Sequence, residues 1–186
     1  TPPETVTVIE PNDDTAATLR KQYSVATTNS SENIDINTNG SMRSDEWWWK
    51  FAVMGGDRLT VIFTIDGSTQ EIHSLYRQKT DLDDILSHME TLSMGGANAG
   101  VFTVIFKHNQ DDLINIAKLS KKHGAKHIVF VISNRFHKRL SSEFNFRKDN
   151  SMYKLNQTDL PINIQEAINF RGFNLNNING IESILN

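Results

Sequence analysis

Asp66-Gly67-Ser68-Thr69 closes the strongest strand candidate of the chain, residues 58–65 (RLTVIFTI). An acidic side chain at the carboxyl end of a buried parallel strand is placed to order a Mg²⁺-bound water. Gly67 lets backbone N–H groups approach an anion, and Ser68 and Thr69 add hydroxyl groups. The same residues also make an ordinary capped turn before a helix at 70–77, and the sequence weighs the two equally. A second acidic group, Glu10, Asp13 and Asp14, follows the β-branched run 5–9 (TVTVI). It suits a cation or a ribose, although Asp13 and Asp14 as caps of a helix at 15–23 is the commoner explanation. Asn134 and Arg135 follow the apolar run 127–132. His123 and His127 are four apart, but Gly124 breaks the helix that would align them for zinc. Trp47, Trp48 and Trp49 are consecutive, and on a helix their rings point ~100° apart. One or two of them bury; the commoner outcome leaves the remaining ring half-covered against the core, and the functional one makes it a contact for base stacking or for a protein interface.

The elements that hold these residues are legible around 101–136. The run 101–106 lacks alternation, as a strand covered on both faces does. Asn109–Asp112 supplies helix-start chemistry. Leu113, Ile116, Ala117 and Ser120 recur at helical spacing, Gly124 ends the helix, and 127–132 is the next strand. Strand, helix and strand make a right-handed crossover between parallel strands. Ligands then collect beyond the carboxyl ends, which points to 107–111 and 133–136. Asp66, Gly67, Asn134 and Arg135 share that edge.

Upstream, Ser44 or Asp45 caps a helix over 45–54 that Gly55-Gly56 ends. Thr80 or Asp81 caps another, striped by Leu82, Ile85, Leu86, Met89 and Leu92. Residues 24–45 read as a polar loop with a short strand at 33–36. Glycines at 95–100 precede a strand, whereas a phosphate cradle follows one. Downstream lie a short helix at 136–140, an edge strand at 141–146, a helix at 164–170 and a terminal helix from Ile178. The expected fold is α/β: a three-layer, mainly parallel twisted sheet with helices on both faces, P-loop NTPase-like or Rossmann-like. Residues 1–150 form the core domain, and 151–186 a helical or irregular extension packed on it.

Composition bounds the function. The 186 residues are 38% hydrophobic and 22% charged, as in an ordinary globular chain. A net charge of -3 gives no support to direct nucleic-acid binding. The chain has no cysteine, which excludes disulfides and thiolate metal sites and fits a cytoplasmic setting. No apolar run reaches the ~20 residues of a membrane span. The start, TPPETV, has no initiator Met, so a fragment, a processed product or a trimmed chain is expected. There is no G-x-x-x-x-G-K-[ST], no G-x-G-x-x-G and no G-x-S-x-G.

The order TVTVIEPNDDT, TVIFTIDGST and VFTVIFKHNQDDLINIAKLSKKHGAKHIVFVISNR resembles the ParA/MinD-type P-loop ATPases, especially plasmid-stability and conjugation members of the StbB/TraL kind. The likeness covers roughly 5–136. It implies a nucleotide-dependent partition or conjugation protein that binds ATP and Mg²⁺, with a homodimer or protein partner. It places Asp66 at the chemistry, Asp66 and Asp13 on the metal, and Gly67, Ser68, Asn134 and Arg135 on the nucleotide. Trp47, Trp48 and Trp49 fall to the interface. The family's Walker A segment would precede Thr5, so hydrolysis is expected only with an upstream P-loop. Two other classes fit: a receiver-like domain with Asp13 and Asp14 on Mg²⁺ and Asp66 accepting phosphoryl, and a non-catalytic interaction module using the tryptophans.

Overall fold

The structure, a computed structural model, describes residues 33–133, 143–148 and 151–185. The expected elements at 5–9, 15–23 and 136–140, together with Asp13, Asn134 and Arg135, lie outside the described residues. Five strands form the main sheet, in the order β1 (Ile34–Thr38), β2 (Leu59–Thr64), β3 (Asn98–Ile105), β4 (Ala125–Ile132) and β7 (Gly172–Asn174). The first three pairings are parallel and the last is antiparallel. The expected parallel pairing of 101–106 with 127–132 is present, in the register Val101↔Ile128 to Ile105↔Ile132.

Each crossover carries a helix: α1 (Asp45–Gly55) between β1 and β2, α2 (Gln70–Ser74) and α3 (Leu82–Met94) between β2 and β3, and α4 (Leu113–Lys122) between β3 and β4. Their ends obey local chemistry. The Ser44 hydroxyl accepts the Trp47 N–H, the Thr69 hydroxyl accepts from Ile72, and the Asp81 carboxylate accepts from Asp83 and Asp84. After α4, Gly124 takes φ +91°, a left-handed turn that a side chain would oppose. Helix α2 is shorter than the expected 70–77 and gives way to turns.

Strands β1 to β4 follow one another across the sheet in sequence order. Right-handed crossovers that always step the same way place every connecting helix on the same face. The packing agrees. Leu59, Val61 and Phe63 of β2, Ala99, Val101 and Ile105 of β3, and Ile128, Phe130 and Ile132 of β4 share one core with α1, α3 and α4. The Asp45 carboxylate at the head of α1 accepts from the Ser87 and Thr91 hydroxyls of α3, and the Ser93 hydroxyl at the end of α3 donates to the Gly124 carbonyl. Helices α1, α3 and α4 thus lie on this face, and the α/β class with a mainly parallel sheet is as expected.

The opposite face presents the alternate residues Thr60, Ile62, Thr64, Phe102 and Val129, all half-buried. Near the strands' carboxyl ends it meets a hairpin, β5 (Glu143–Lys148) antiparallel to β6 (Ser151–Asn156). Leu155 of β6 is buried there with Val104 and Phe106, beside Phe102 and Tyr76. The chain then adds α5 (Ile162–Ile168), β7 and α6 (Ile178–Leu185), whose Ile168, Phe173 and Ile181 join the main core. Lys118 of α4 pairs with Glu182 of α6 at 2.6 Å.

The tryptophan run divides as helical geometry dictates. Trp48 is 4% exposed and packs on Phe63 and the His88 ring, its indole N–H donating to the Met42 carbonyl. Trp47 is half-buried and stacks on Phe51. Trp49 is 44% exposed.

Candidate functional site

The carboxyl ends of β2 and β3 meet in a buried polar network. Asp66 is fully buried. One carboxylate oxygen accepts from Arg77 Nε at 2.5 Å and the other from the Val104 amide at 2.6 Å. Burial pushes its carboxyl above the ordinary range, against the opposing pull of Arg77 and the Val104 N–H. Its own amide donates to His73 Nδ1 at 3.2 Å. The Thr80 hydroxyl gives its proton to the Arg77 carbonyl at 2.7 Å, so His73 Nε2–H donates to Thr80 Oγ1 at 3.0 Å. That assigns the neutral tautomer. Burial, helped by the Arg77 charge and opposed by Asp81, holds the ring at about 4.

The buried side chain of Asn109 closes the network. Its amide donates to the carbonyls of Asp66 at 3.0 Å and Val104 at 2.9 Å, and its oxygen accepts the Phe106 N–H at 2.8 Å. Ser68 gives both its amide and its hydroxyl to Asp112, each at 2.7 Å. Asp112 therefore braces the 66–69 turn rather than capping α4 with its side chain. A Cβ on Gly67 would sit 2.3 Å from the His73 amide, so glycine here admits the start of α2. The 65–69 turn is thus a joint between β2, α2 and β3, with its donors and acceptors turned inward.

Further round the same edge, the loop 106–112 is clasped to the end of the hairpin. The Lys107 amide donates to the Asn156 carbonyl at 3.0 Å, and the Lys107 ammonium pairs with Asp159. Gln110 Oε1 accepts from the Thr158 hydroxyl at 2.7 Å and from the Asp159 amide at 3.0 Å. Between these contacts stands His108. Its ring lies nearly parallel to Phe106, at 14° and 5.5 Å, and Phe106 in turn meets Tyr76, over which the Arg77 guanidinium sits. His108 Nε2 is buried with no hydrogen-bond partner. Burial pulls this imidazole below its ordinary range. Ser133, buried at the end of β4, follows the Ile105↔Ile132 pair beside Phe106.

The expected site residues are therefore distributed as follows. Asp66, Gly67 and Ser68 stand together at the carboxyl edge, bonded to Arg77, His73, Val104 and Asp112. Asn134, Arg135 and Asp13 lie outside the described residues. Trp47, Trp48 and Trp49 lie on α1, on the helix-covered side. His73, Arg77 and His108 were not among the expected site residues, and Asn109 was expected only as helix-start chemistry. Their one signal was position: 73 and 77 follow the acidic turn by a helical turn each, and 108–109 sit in the loop that the carboxyl-edge rule had picked out. His123 and His127 do not converge, since His123 meets Glu90 at 3.1 Å on the helical side.

No family model and no curated protein matches the chain. Similar solved structures include native anSMEcpe with bound AdoMet, at TM-score 0.46 and 18% identity over 55% of this chain and 28% of that one. A second, native anSMEcpe with bound AdoMet and Kp18Cys peptide, has TM-score 0.48 and 18% identity over 60% and 31%. A third, archaeal TYW1, has TM-score 0.43 and 12% identity over 75% and 51%. The chain thus spans about three tenths of anSMEcpe and half of TYW1. These findings overturn the ParA/MinD resemblance and the partition or conjugation role drawn from it: the similar structures are not P-loop ATPases, and no family model supports that assignment. The receiver-like and tryptophan-module alternatives gain nothing from them either. The ATP and Mg²⁺ expectation falls too. The anSMEcpe structures hold AdoMet, both Asp66 oxygens are occupied by protein donors, and among the described residues no three His, Asp or Glu side chains are grouped to hold a metal. Among those residues no helix is long and apolar enough to cross a membrane.

Proposed function

We propose that this chain is a ligand-binding α/β domain with its site at the carboxyl mouth of the sheet face opposite α1, α3 and α4, where a small molecule supplies the partner missing from His108 Nε2. That orphaned nitrogen carries the reading. A buried polar atom without a partner costs roughly 1–3 kcal/mol, and native proteins leave few of them. The position also suits a sheet whose crossovers all step one way, because such sheets present ligands to the loops at their carboxyl ends. Burial keeps the imidazole neutral near pH 7, so it offers one donor and one acceptor. A hydroxyl, an amide or a ring nitrogen suits it better than a phosphate. Phe106 fixes the ring from below, and the Gln110–Thr158 and Lys107–Asp159 contacts hold the wall opposite.

His108→Phe tests this, since it keeps the ring stack and removes the orphan. Thermal melting is measured for parent and variant with a panel of small molecules that includes AdoMet, the compound held by the anSMEcpe structures, and ATP for comparison. The expected variant melts higher than the parent in buffer and no longer responds to any compound that stabilises the parent. A variant that melts lower and responds like the parent overturns the reading.

A further inference from the structure

The pairing of β3 with β4 slips at one point. Ala99 pairs with Ala125, but the next pair is Gly100 with His127, so Lys126 is an extra residue on β4. A bulge of this kind re-aims the side chain that follows it. By simple alternation His127 would share the helix-covered face with Ala125. With the bulge it joins the row Asn37, Ile62 and Gly100 on the face opposite α1, α3 and α4. Gly100 lets the ring lie down: a Cβ there would stand 2.3 Å from His127 Nε2 and 2.5 Å from Cε1. The imidazole therefore leans over β3, toward β1.

Asp35 stands on β1 in the adjoining row, opposite Thr60, and is exposed. Its charge is felt at His127, where it opposes the larger effect of burial, which pulls the imidazole below its ordinary range. Beyond the strand ladder, the side chains of Asp35 and His127 make no hydrogen bond or ion pair among the described residues. The nearby Lys126 ammonium is held by Asn98 Oδ1 at 2.5 Å, and Asn98 is itself tied to the Asp57 carbonyl.

We propose that this face binds a short linear amine, its ammonium group on Asp35 and a second N–H or O–H donated to the His127 ring. Strands lie ~4.8 Å apart, so a ring over β3 and a carboxylate over β1 leave about two spacings, ~10 Å, above β2. The floor of that gap is the hydroxyl of Thr60 and the side chain of Ile62, polar at one end and apolar along its length. A neutral imidazole accepts a proton-bearing group, and an unpaired carboxylate selects a cation over an anion. A metal ion would find only these two ligands, because no third His, Asp or Glu joins them among the described residues. This site shares no residue with the carboxyl mouth, so it stands or falls separately.

Putrescine serves as the probe. It is titrated into ¹⁵N-labelled protein at low ionic strength, following the His127 ring nitrogens by long-range ¹H–¹⁵N spectra and the affinity by calorimetry. The expected result is a saturable shift of His127, weakened roughly two- to fivefold by Asp35→Asn. Succinate, a dianion of similar length, leaves the ring unshifted. Asp35 is exposed, so an unchanged melting temperature certifies the fold of that variant. Gly100→Ala drives the ring off β3 and is expected to lower the affinity as well. His127→Gln keeps a polar side chain at the site and provides a second check should Gly100→Ala fail to fold. An unshifted His127 at ~10 mM putrescine, or equal binding by parent and Asp35→Asn, overturns the proposal.

Discussion

Protonating His73 should unlock the joint between β2, α2 and β3. The ring has no exposed surface. Its Nδ1 accepts the Asp66 amide, so a proton on Nδ1 sets two N–H groups against each other and adds a charge beside Arg77. Burial holds the folded ring at about 4, against about 6.5 for a free imidazole. At 1.36 kcal/mol per pKa unit, the gap is worth roughly 3 kcal/mol. For the sign, the folded state binds the proton less well than the unfolded state. The stability is therefore complete above about pH 6.5, is lost as pH falls below that value, and is gone below about pH 4. Asp66 works the other way, because its carboxyl is raised by burial and regains stability on protonation. Other carboxylates also titrate there, so the parent curve alone does not isolate His73. His73→Asn does: the Asn oxygen replaces Nδ1 as acceptor and does not titrate. Urea unfolding of both proteins between pH 7 and about pH 4 is the assay. Near pH 7 the variant is expected to be less stable by ~1–3 kcal/mol, for the lost bond to Thr80. The gap should close and then reverse toward pH 4, with a total swing of about 3 kcal/mol. Curves that run parallel across that range would refute the neutral, buried assignment.

Other outcomes follow from the same contacts. Trp48→Ala removes a ring packed on Phe63 and His88 and should cost ~3–5 kcal/mol in urea unfolding, whereas Trp49→Ala should stay within about 1 kcal/mol. Weaker self-association of the Trp49 variant in sedimentation would assign the exposed ring to an interface; unchanged sedimentation would remove that role. Asn109→Ala strands two carbonyls and one amide in a dry joint and should cost at least ~3 kcal/mol, more than Asn115→Ala on the partly exposed side of α4. Gly124→Ala imposes a side chain at φ +91° and 2.7 Å from Ser93, so its melting temperature should fall by several degrees, ~1–2 kcal/mol.

Local chemistry in the sequence determined the elements. Apolar runs placed β2, β3 and β4, the pairs Ser44/Asp45 and Thr80/Asp81 placed two helix starts, and Gly124 placed a helix end. Each of these depends on neighbours within four residues, which any reading of the sequence contains. The parallel pairing of β3 with β4 was legible for the same reason, since a helix between two apolar runs leaves few other connections. The family resemblance failed because it rested on acidic turns after strands, and such turns serve any strand that feeds a helix. Asp66 shows the difference. Its neighbours fit a metal site or a capped turn equally well, and only the fold brings Val104, 38 residues on, and Arg77 to its two oxygens. The side of the sheet that the helices cover depended on the strand order, which no local pattern encodes. The bulge at Lys126 was hidden within a continuous strand-like run, AKHIVFVI, because a one-residue slip changes pairing without changing composition. That slip turns His127 to the face opposite α1, α3 and α4, and only the register of two strands joined through a helix could decide it.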